Sequence, residues 1–339
     1  MAGTCLECGP GTCAGCCAAG QCEPGTTDPA CGAGGLACSA CPSISTCIQS
    51  ACAPGEIVLF GGAGSMNDAL GDTWTFDGSS WTQRAIDTGP PDRAGHAMAS
   101  LIGTVMLFGG VGSTNDTLGD TWTFDGASWT QSAATGPAPR ALLASATYGG
   151  EGLVFGGGDD GTLLDDTWLF DGTSWSRPPL ATAPTPRSGA AMAGLSTTRG
   201  ESVVLFGGAT STGTAGDTWL FGTGWAPLAP GPSARAGAAM ASLGANVVLF
   251  GGYDLTSMTL LDDTWSFDGQ SWTQASGTGP SPRSGHAMAT LRGLVVLFGG
   301  TDGTQPLDDT WTFDGNVWTQ VLTAAGPPAR SAHAMATLP

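Results

Sequence analysis

The sequence has no lysine, ten arginines, three histidines and only two tyrosines. Its 28 acidic residues give a formal net charge of −18. This balance disfavours nucleic acids and anionic membranes as partners, because both require positive charge on the protein. The same acidity is typical of a solvated surface, so it does not identify a partner by itself.

Long apolar runs are also absent. No stretch reaches the roughly 18 apolar residues that a membrane-spanning helix needs, so we expect no membrane insertion. No signal-peptide pattern follows Met1, and we expect that an export signal has been removed from the chain. Catalytic signatures are missing as well: there is no Gly-x-Ser-x-Gly elbow, no HExxH motif and no phosphate loop. The sequence therefore predicts a non-catalytic protein.

Cysteine is confined to the first 55 residues. The eleven cysteines are Cys5, Cys8, Cys13, Cys16, Cys17, Cys22, Cys31, Cys38, Cys41, Cys47 and Cys52. Large apolar side chains are almost missing from this segment, so it cannot build a core and must be cross-linked. Disulfides are favoured, because dense cysteine in a short segment is typical of exported scaffolds. Three CxxC pairs keep zinc open as the alternative, and the odd number leaves one thiol over.

Two stretches of this segment, CGPGTCAGCC and GQCEPGTTDPACG, resemble the cysteine-rich leaders of exported myxobacterial proteins. The resemblance implies a bacterial protein that is extracellular or attached to the cell surface, which agrees with disulfides. We therefore predict two domains. Residues 1–55 form a small disulfide-stapled module, and residues 56–339 form the second domain.

A motif of the form VLFGG, then DTWTFDG, then Trp recurs six times after residue 55. The Phe-Gly-Gly triplets start at Phe60, Phe108, Phe155, Phe206, Phe250 and Phe298. The Asp-Thr-Trp triplets start at Asp72, Asp120, Asp166, Asp217, Asp263 and Asp309. Consecutive Phe-Gly-Gly triplets are 44 to 51 residues apart, and a period of that size indicates a solenoid, a propeller or an array.

Each repeat contains four short strands. Residues 56–60 are an apolar run closed by two glycines, and residues 73–76 alternate with period two. Asp77-Gly78 favours a tight turn into a strand at residues 80–83. The Pro-rich connection that follows leads to a strand of small residues, as in RAGHAMAS. Four antiparallel strands per repeat are typical of a propeller blade.

The Gly-Gly pair, the Asp and Trp on the next strand, the second Trp and the Arg-x-Gly-His before the inner strand together resemble the kelch repeat. The resemblance covers residues 56–339 and implies an all-β fold, a six-bladed kelch-type β-propeller. The first repeat lacks its inner strand, and the last residues, 330–338, are an inner strand without a blade. We expect this C-terminal strand to complete the first blade beside residues 57–60 and so close the ring.

Tryptophan and arginine recur at fixed positions of each repeat. Two tryptophans per blade are expected to pack between blades, because aromatic rings carry large burial energies. Six arginines stand at the entrance to each inner strand: Arg93, Arg140, Arg187, Arg235, Arg283 and Arg330. We expect each guanidinium to tie neighbouring blades together through carbonyls or the repeated Asp. The alternative is a ring of positive charges at the channel mouth that receives an anionic ligand.

His96, His286 and His333 occupy the third position after the repeated arginine, in blades 2, 6 and 1. The other repeats have Leu143, Ala190 and Ala238 there. We interpret the histidines as packing residues, because side chains at one level of neighbouring strands do not converge on a metal.

The acidic loops offer oxygen ligands that would suit calcium, although none has a D-x-D-x-D-G spacing. No other metal or cofactor is expected. Kelch-type copper radical oxidases need Cys and Tyr at the metal, and these repeats contain no Cys.

Function should lie where the repeats differ, because the repeated positions serve the scaffold. The third repeat has the acidic loop GGGDDGTLLDD, and the fifth has GGYDLTSMTLLDD. The predicted contact residues are Asp159, Asp160, Tyr253, Asp254, Leu255 and Met258. The leading hypothesis is a binding, adhesion or assembly module with a protein or glycan ligand on its loop face. The alternatives are a glycan-binding or glycan-processing protein, and a self-associating subunit of an extracellular surface structure.

Overall fold

The structure is a computed structural model that describes residues 15–18, 21–24, 30–31, 39–40, 45–48, 51–66, 68–197 and 200–339. From Glu56 onward it contains six four-stranded antiparallel sheets. The innermost strands of these sheets contact each other in cyclic order, so the sheets are the blades of a closed propeller. The predicted all-β, six-bladed fold is confirmed. No helix long and apolar enough to cross a membrane occurs in the described residues.

In each blade the first strand named lies at the central channel and the fourth at the outer rim. Blade 1 has Ala334–Leu338, Glu56–Ala63, Ala69–Phe76 and Trp81–Arg84; blade 2 has Ala97–Ser100, Val105–Phe108, Thr121–Phe124 and Trp129–Ser132; blade 3 has Ala144–Tyr148, Glu151–Phe155, Thr167–Phe170 and Trp175–Ser176. Blade 4 has Ala191–Thr197, Gly200–Phe206, Thr218–Phe221 and Trp225–Pro227; blade 5 has Ala239–Leu243, Asn246–Phe250, Thr264–Phe267 and Trp272–Gln274; blade 6 has Ala287–Leu291, Leu294–Phe298, Thr310–Phe313 and Trp318–Val321.

Short two-stranded pairs complete the secondary structure. Four of them lie in the connections and loops of the propeller: Arg93–Ala94 with Val111–Gly112, Gly158–Asp159 with Thr162–Leu163, Ala209–Thr210 with Gly213–Thr214, and Tyr253–Asp254 with Thr259–Leu260. Three precede the propeller: Gly15–Ala18 with Gln21–Pro24, Ala30–Cys31 with Ser39–Ala40, and Ser45–Ile48 with Ala51–Pro54. The predicted disulfides fall outside the residues whose side chains the structure describes.

Blade 1 is built from both ends of the chain. The C-terminal strand pairs with Glu56–Ala63, with Ala334 opposite Phe60 and Leu338 opposite Glu56. This pairing confirms the predicted ring closure. It also removes the two sheet edges that an open array would leave exposed.

The apolar run before each Gly-Gly pair is buried on both sides. Val105–Phe108 is fully buried, because neighbouring blades cover both faces of each sheet. The run ends where the chain must turn sharply. A Cβ on Gly62 would lie 2.8 Å from Cβ of His333, and Gly62 has a φ of 108°, so only glycine fits there.

The second tryptophan of each blade joins that blade to the preceding one. Trp129 of blade 2 lies edge-on to Phe60 of blade 1, and its indole N–H donates to the Thr73 hydroxyl at 3.0 Å. The same indole-to-threonine bond links the pairs Trp81–Thr310, Trp175–Thr121, Trp225–Thr167, Trp272–Thr218 and Trp318–Thr264. The structure therefore shows the expected packing between blades for the second tryptophan. The first tryptophan lies in the apolar clusters between blades as well, as Trp74 does with Phe298 of blade 6. Its indole N–H donates to the aspartate of its own Asp-Thr-Trp triplet, as that of Trp122 does to Asp120.

Candidate functional site

One face of the propeller, here called the loop face, carries the loops after the Gly-Gly pairs and the connections between blades. The two kinds of segment hydrogen-bond to each other in every blade, as expected if they open on the same side. The pairs are Arg93–Ala94 with Val111–Gly112, Ala63 with Ser331, Ala141 with Gly158, Ser188 with Ala209, Ala236 with Tyr253, and Ser284 with Thr301. The opposite face carries the tight turns between strands one and two and between strands three and four.

The floor of the loop face is a set of six arginine–aspartate pairs. The guanidinium of Arg283 donates to both carboxylate oxygens of Asp309, at 2.6 and 2.8 Å, and to the Gly299 carbonyl at 3.0 Å, all in blade 6. Its backbone hydrogen-bonds to Leu261 and Gly252 in blade 5. Each arginine therefore ties two blades together, as one of the two interpretations of the sequence predicts. The other pairs are Arg93–Asp120, Arg140–Asp166, Arg187–Asp217, Arg235–Asp263 and Arg330–Asp72.

The alternative interpretation, a ring of positive charges open to an anionic ligand, is wrong. The six arginine side chains are at most 2% exposed, and each already holds a carboxylate. Desolvation raises the pKa of Asp309, but the hydrogen bonds and charge of Arg283 outweigh it, so the pKa lies below its usual value. The pairs therefore stay ionised and neutralise each other.

The mouth of the channel on the loop face is closed by a cycle of backbone hydrogen bonds, here called the mouth ring. Each of six residues donates its N–H to the carbonyl of its counterpart in the preceding blade, at 2.7–2.8 Å. The members are Gly95, Leu142, Gly189, Gly237, Gly285 and Ala332, and all have φ between 52° and 66°. Sequence reasoning missed this ring, although glycine two residues after the arginine in four repeats was a signal for it. A cavity of ≈ 110 Å³ lies at the ring.

A second ring of hydrogen bonds surrounds the channel nearer the opposite face, beside a cavity of ≈ 180 Å³. Here a hydroxyl in five of the six inner strands donates to a carbonyl of the preceding blade, at 2.5–2.9 Å. The donors are Ser100, Thr147, Ser242, Thr290 and Thr337. Blade 4 has Gly194 at this position and contributes no hydroxyl, so the ring is broken once, beside the Thr147 carbonyl.

The three histidines are buried between blades. The rings of His96, His286 and His333 lie edge-on to Phe60, Phe250 and Phe298 of the preceding blades, with centroids 5.5–5.6 Å apart. None of their ring nitrogens has a hydrogen-bond partner among the described residues. This arrangement agrees with the packing interpretation. The described residues contain no group of three His, Cys, Asp or Glu side chains placed to hold a metal ion.

The predicted contact residues lie at two places on the loop face. Asp159 and Asp160 are exposed at the tip of a hairpin in blade 3. Tyr253, Asp254, Leu255 and Met258 lie in the corresponding loop of blade 5, so blade 4 separates the two groups. That they contact a partner stays a prediction.

The blade 5 loop is ordered by its own side chains. The Tyr253 hydroxyl donates to Sδ of Met258 at 3.1 Å. Asp254 accepts hydrogen bonds from Thr256, Ser257 and Thr214, the last from blade 4. Leu255 and Met258 remain 42% and 69% exposed. The loop therefore presents two apolar side chains to solvent on a fixed support.

The outer part of the loop face is strongly acidic. Eleven carboxylates there make no ion pair with the described residues: Asp68, Asp87, Asp92, Asp116, Asp159, Asp160, Asp165, Asp254, Asp262, Asp302 and Asp308. Among the described residues, the opposite face has the exposed Arg292 and seven acidic residues besides Glu56, which pairs with Arg84. Five of the seven are aspartates that cap their own turns, as Asp171 does with Thr173 and Ser174. Calcium binding by the loops stays a prediction.

A cavity of ≈ 230 Å³ breaks the symmetry of the outer rim. It lies between the connection to blade 5 and that blade, against Pro230, Trp265, Gln270 and Trp272. Gly231 follows Trp225 by six residues, whereas the corresponding glycine follows the second tryptophan by seven or eight in four other connections. This shorter connection leaves Trp272 half-buried, while the five equivalent tryptophans are buried.

The family model described as the KLHDC2/KLHL20/DRC7 Kelch-repeats domain matches the chain over residues 37–208 and again over residues 171–339. No curated protein matches the chain.

Proposed function

The chain belongs to the kelch-repeat family, and from that premise we propose that it is a non-catalytic module that binds a protein partner on its loop face. Kelch propellers are in general binding scaffolds for other proteins. The observation that carries the proposal is the contrast within this face. Its floor is the same in every blade, whereas the exposed loops above it differ in sequence, as a surface adapted to one partner does.

The partner that suits this surface is a protein with a basic patch around an apolar contact. The eleven carboxylates of the loop face would attract positive charge, which speeds association and disfavours acidic competitors. Leu255 and Met258 supply exposed apolar area within the acidic surroundings. Methionine and aromatic side chains are enriched in the centres of protein interfaces. Asp159, Asp160 and Asp254 would act mainly on the association rate.

We further propose that the protein acts in adhesion or assembly outside the cell. The eleven cysteines before residue 55 support this location, because disulfides persist in oxidising compartments. Alkylation and mass spectrometry of the exported protein should find one free thiol per chain and no metal. Bound zinc would contradict the extracellular location, and covalent oligomers that dissociate on reduction would favour the self-association alternative.

Site-specific photo-crosslinking tests the binding face. A photoreactive p-benzoylphenylalanine replaces Leu255 on the loop face or, as the matched control, Ile102, which is 60% exposed on the opposite face. In cells that produce the protein, a discrete crosslinked partner should form from position 255 and not from position 102. Partner capture from position 102 alone would place the interface on the wrong face, and no adduct from either would contradict protein binding.

The rim cavity at blade 5 favours a glycan as a second candidate ligand. Two half-buried tryptophans, Trp265 and Trp272, line it together with the polar Gln270 and Ser271. Aromatic faces with a few polar groups are what a neutral sugar ring needs. Binding of cello- and chito-oligosaccharides should quench tryptophan fluorescence, and replacing Ala229 with Leu to fill the cavity should abolish the quenching. Unchanged fluorescence with every sugar would remove this candidate.

A further inference from the structure

The three histidines divide the ring into two kinds of blade interface. His286 lies between blades 5 and 6, His333 between blades 6 and 1, and His96 between blades 1 and 2. The other three interfaces have Leu143, Ala190 and Ala238 at the same position. These side chains do not titrate. All the histidines therefore lie in one half of the ring. This half contains blade 1, which is built from both ends of the chain.

The surroundings of each histidine suit only the neutral form of its imidazole ring. The three residues are 5–6% exposed, and in the part of the chain that the structure describes none of their ring nitrogens has a hydrogen-bond partner. An imidazolium has two N–H donors and a full charge, and the ring nitrogens here are buried without an acceptor among the described residues. Desolvation accordingly lowers the pKa of His96 and His286 to about 3, and lowers that of His333 well below its usual value.

The charged groups around the histidines do not stabilise the positive charge that protonation would add to the imidazole ring. Arg93 and Asp120 face His96, and Arg283 and Asp309 face His286. His333 is faced by Arg330 and by the other two histidines, all of which oppose its protonation. Both facing aspartates already accept two hydrogen bonds from their arginine, so neither is free to pair with an imidazolium. The backbone of Phe60 opposes the lowering of the His96 pKa, but it makes no hydrogen bond to the imidazole ring.

We propose that these histidines make half of the ring an acid-sensitive seam, whose three interfaces open in mildly acidic solution while the other three stay closed. An opened interface exposes its imidazole to water, where the ordinary pKa near 6.5 allows protonation. Each opening then takes up one proton below that pH. Its equilibrium constant should therefore rise about tenfold for each pH unit, until the pH approaches the lowered pKa of the closed state.

The mouth ring supplies one reporter for each interface, because each of its N–H groups donates across a single blade boundary. The amides of Gly95, Ala332 and Gly285 cross the histidine-bearing interfaces. The amides of Leu142, Gly189 and Gly237 cross the other three and serve as internal controls. Hydrogen exchange of these six amides, measured by NMR on the whole chain and expressed as protection factors, therefore reads each interface separately.

Between pH 6.5 and pH 5 the protection factors of Gly95, Ala332 and Gly285 should fall about 15-fold, because the imidazole of the opened state is already half protonated at pH 6.5 and almost fully protonated at pH 5. Those of Leu142, Gly189 and Gly237 should change less than threefold. An equal fall at all six amides, or no fall at any, would overturn the proposal. So would an imidazole that titrates near pH 6.5 while the neighbouring amide stays protected.

Two variants connect the effect to the histidines. In H96A/H286A/H333A the three interfaces carry alanine, as two of the controls do, and all six amides should then lose their pH dependence. The reverse change, Ala238→His, adds a histidine between blades 4 and 5 and should make the Gly237 amide acid-sensitive while Gly189 is unchanged. Acid sensitivity that persists in the triple variant, or that does not appear at Gly237 in the reverse variant, would contradict the assignment.

Discussion

The floor and the loop tips of the loop face differ in how often their contacts occur around the ring. The floor consists of the arginine–aspartate pairs and the mouth ring, and it repeats in all six blades. The tips, such as the loops around Asp160 and Met258, occur once each. A contact that repeats six times must serve what the blades have in common, which is the closed frame. Changes in the floor should therefore affect stability, and changes at the tips should affect binding.

Removing one arginine of the floor should have the largest effect. Arg330→Met leaves Asp72 without its cation where the last blade joins the first, and Arg330 itself is fully buried. Breaking such a pair should lower the free energy of unfolding by about 3–5 kcal/mol, measured by urea denaturation. Arg84→Met in the same blade is the matched control. Its pair with Glu56 is about one-third exposed, so its loss should cost less than about 1 kcal/mol. Equal effects would contradict a special role for the floor.

The residue after the mouth ring, histidine in three repeats and leucine or alanine in the other three, does not follow the sixfold symmetry of the floor, and acid should reveal the difference. Because the folded-state pKa of His96 and His286 is lowered, the unfolded chain binds more protons below pH 6.5. Stability should therefore fall by about 1.6 kcal/mol per histidine between pH 6.5 and pH 5. The paired aspartates have lowered pKa values, and their stabilisation is lost only below about pH 3.9. Urea denaturation at both pH values should show the loss, and a flat profile would contradict it.

The indole bonds between blades should contribute less than a buried ion pair. Thr310→Val removes the acceptor of the Trp81 indole N–H while keeping the size of the side chain. The unfolding free energy should fall by about 1–2 kcal/mol, because a buried donor loses its partner. Thr312→Val, two residues along the same strand, is the control, since the hydrogen bond from the Thr312 hydroxyl to the Thr319 carbonyl is exposed to solvent. A loss of similar size in both variants would indicate an effect on strand propensity instead.

Completing the broken hydroxyl ring should stabilise the protein slightly. Gly194→Ser places a hydroxyl beside the Thr147 carbonyl, whose counterparts in five blades accept this bond. A Cβ there would lie 3.1 Å from the Thr147 carbonyl oxygen, so a small shift is needed, and we expect a gain of about 0.5–1 kcal/mol. Gly152→Ser is the steric control: its Cβ would lie 2.8 Å from Sδ of Met106 and should destabilise. A melting temperature lowered by Gly194→Ser would refute the expected bond.

The sequence predicted the fold because the same signals recur six times. The VLFGG run, the Asp-Gly turn after Phe76 and the alternation in 73–76 each specify a local element, and their period specifies a blade. The spare strand at residues 334–338 predicted the closure. The arginine–aspartate pairs were also predicted from residue types alone, but their burial was not, because burial depends on how closely neighbouring blades approach.

Contacts between backbones, and contacts that occur once, escaped prediction. The mouth ring is made of peptide groups, and its members Leu142 and Ala332 do not have the glycine that marks the other four positions. The rim cavity at Trp272 depends on a connection shortened by one or two residues, whose effect appears only after the blades are packed. Periodicity specifies what repeats, so a single departure from it can be noticed in the sequence, but its shape cannot be derived there.

The most direct test of the separation between floor and tips measures stability and binding on the same variant. Leu255→Ser/Met258→Ser removes the exposed apolar side chains of the blade 5 loop, and p-benzoylphenylalanine at position 159 reports partner contact. Thermal unfolding should shift by no more than a degree or two, because exposed side chains contribute little to stability, and the crosslinked partner should disappear. A variant that keeps the crosslink at full yield, or that loses it only by unfolding, would contradict a binding site at the tips of the loop face.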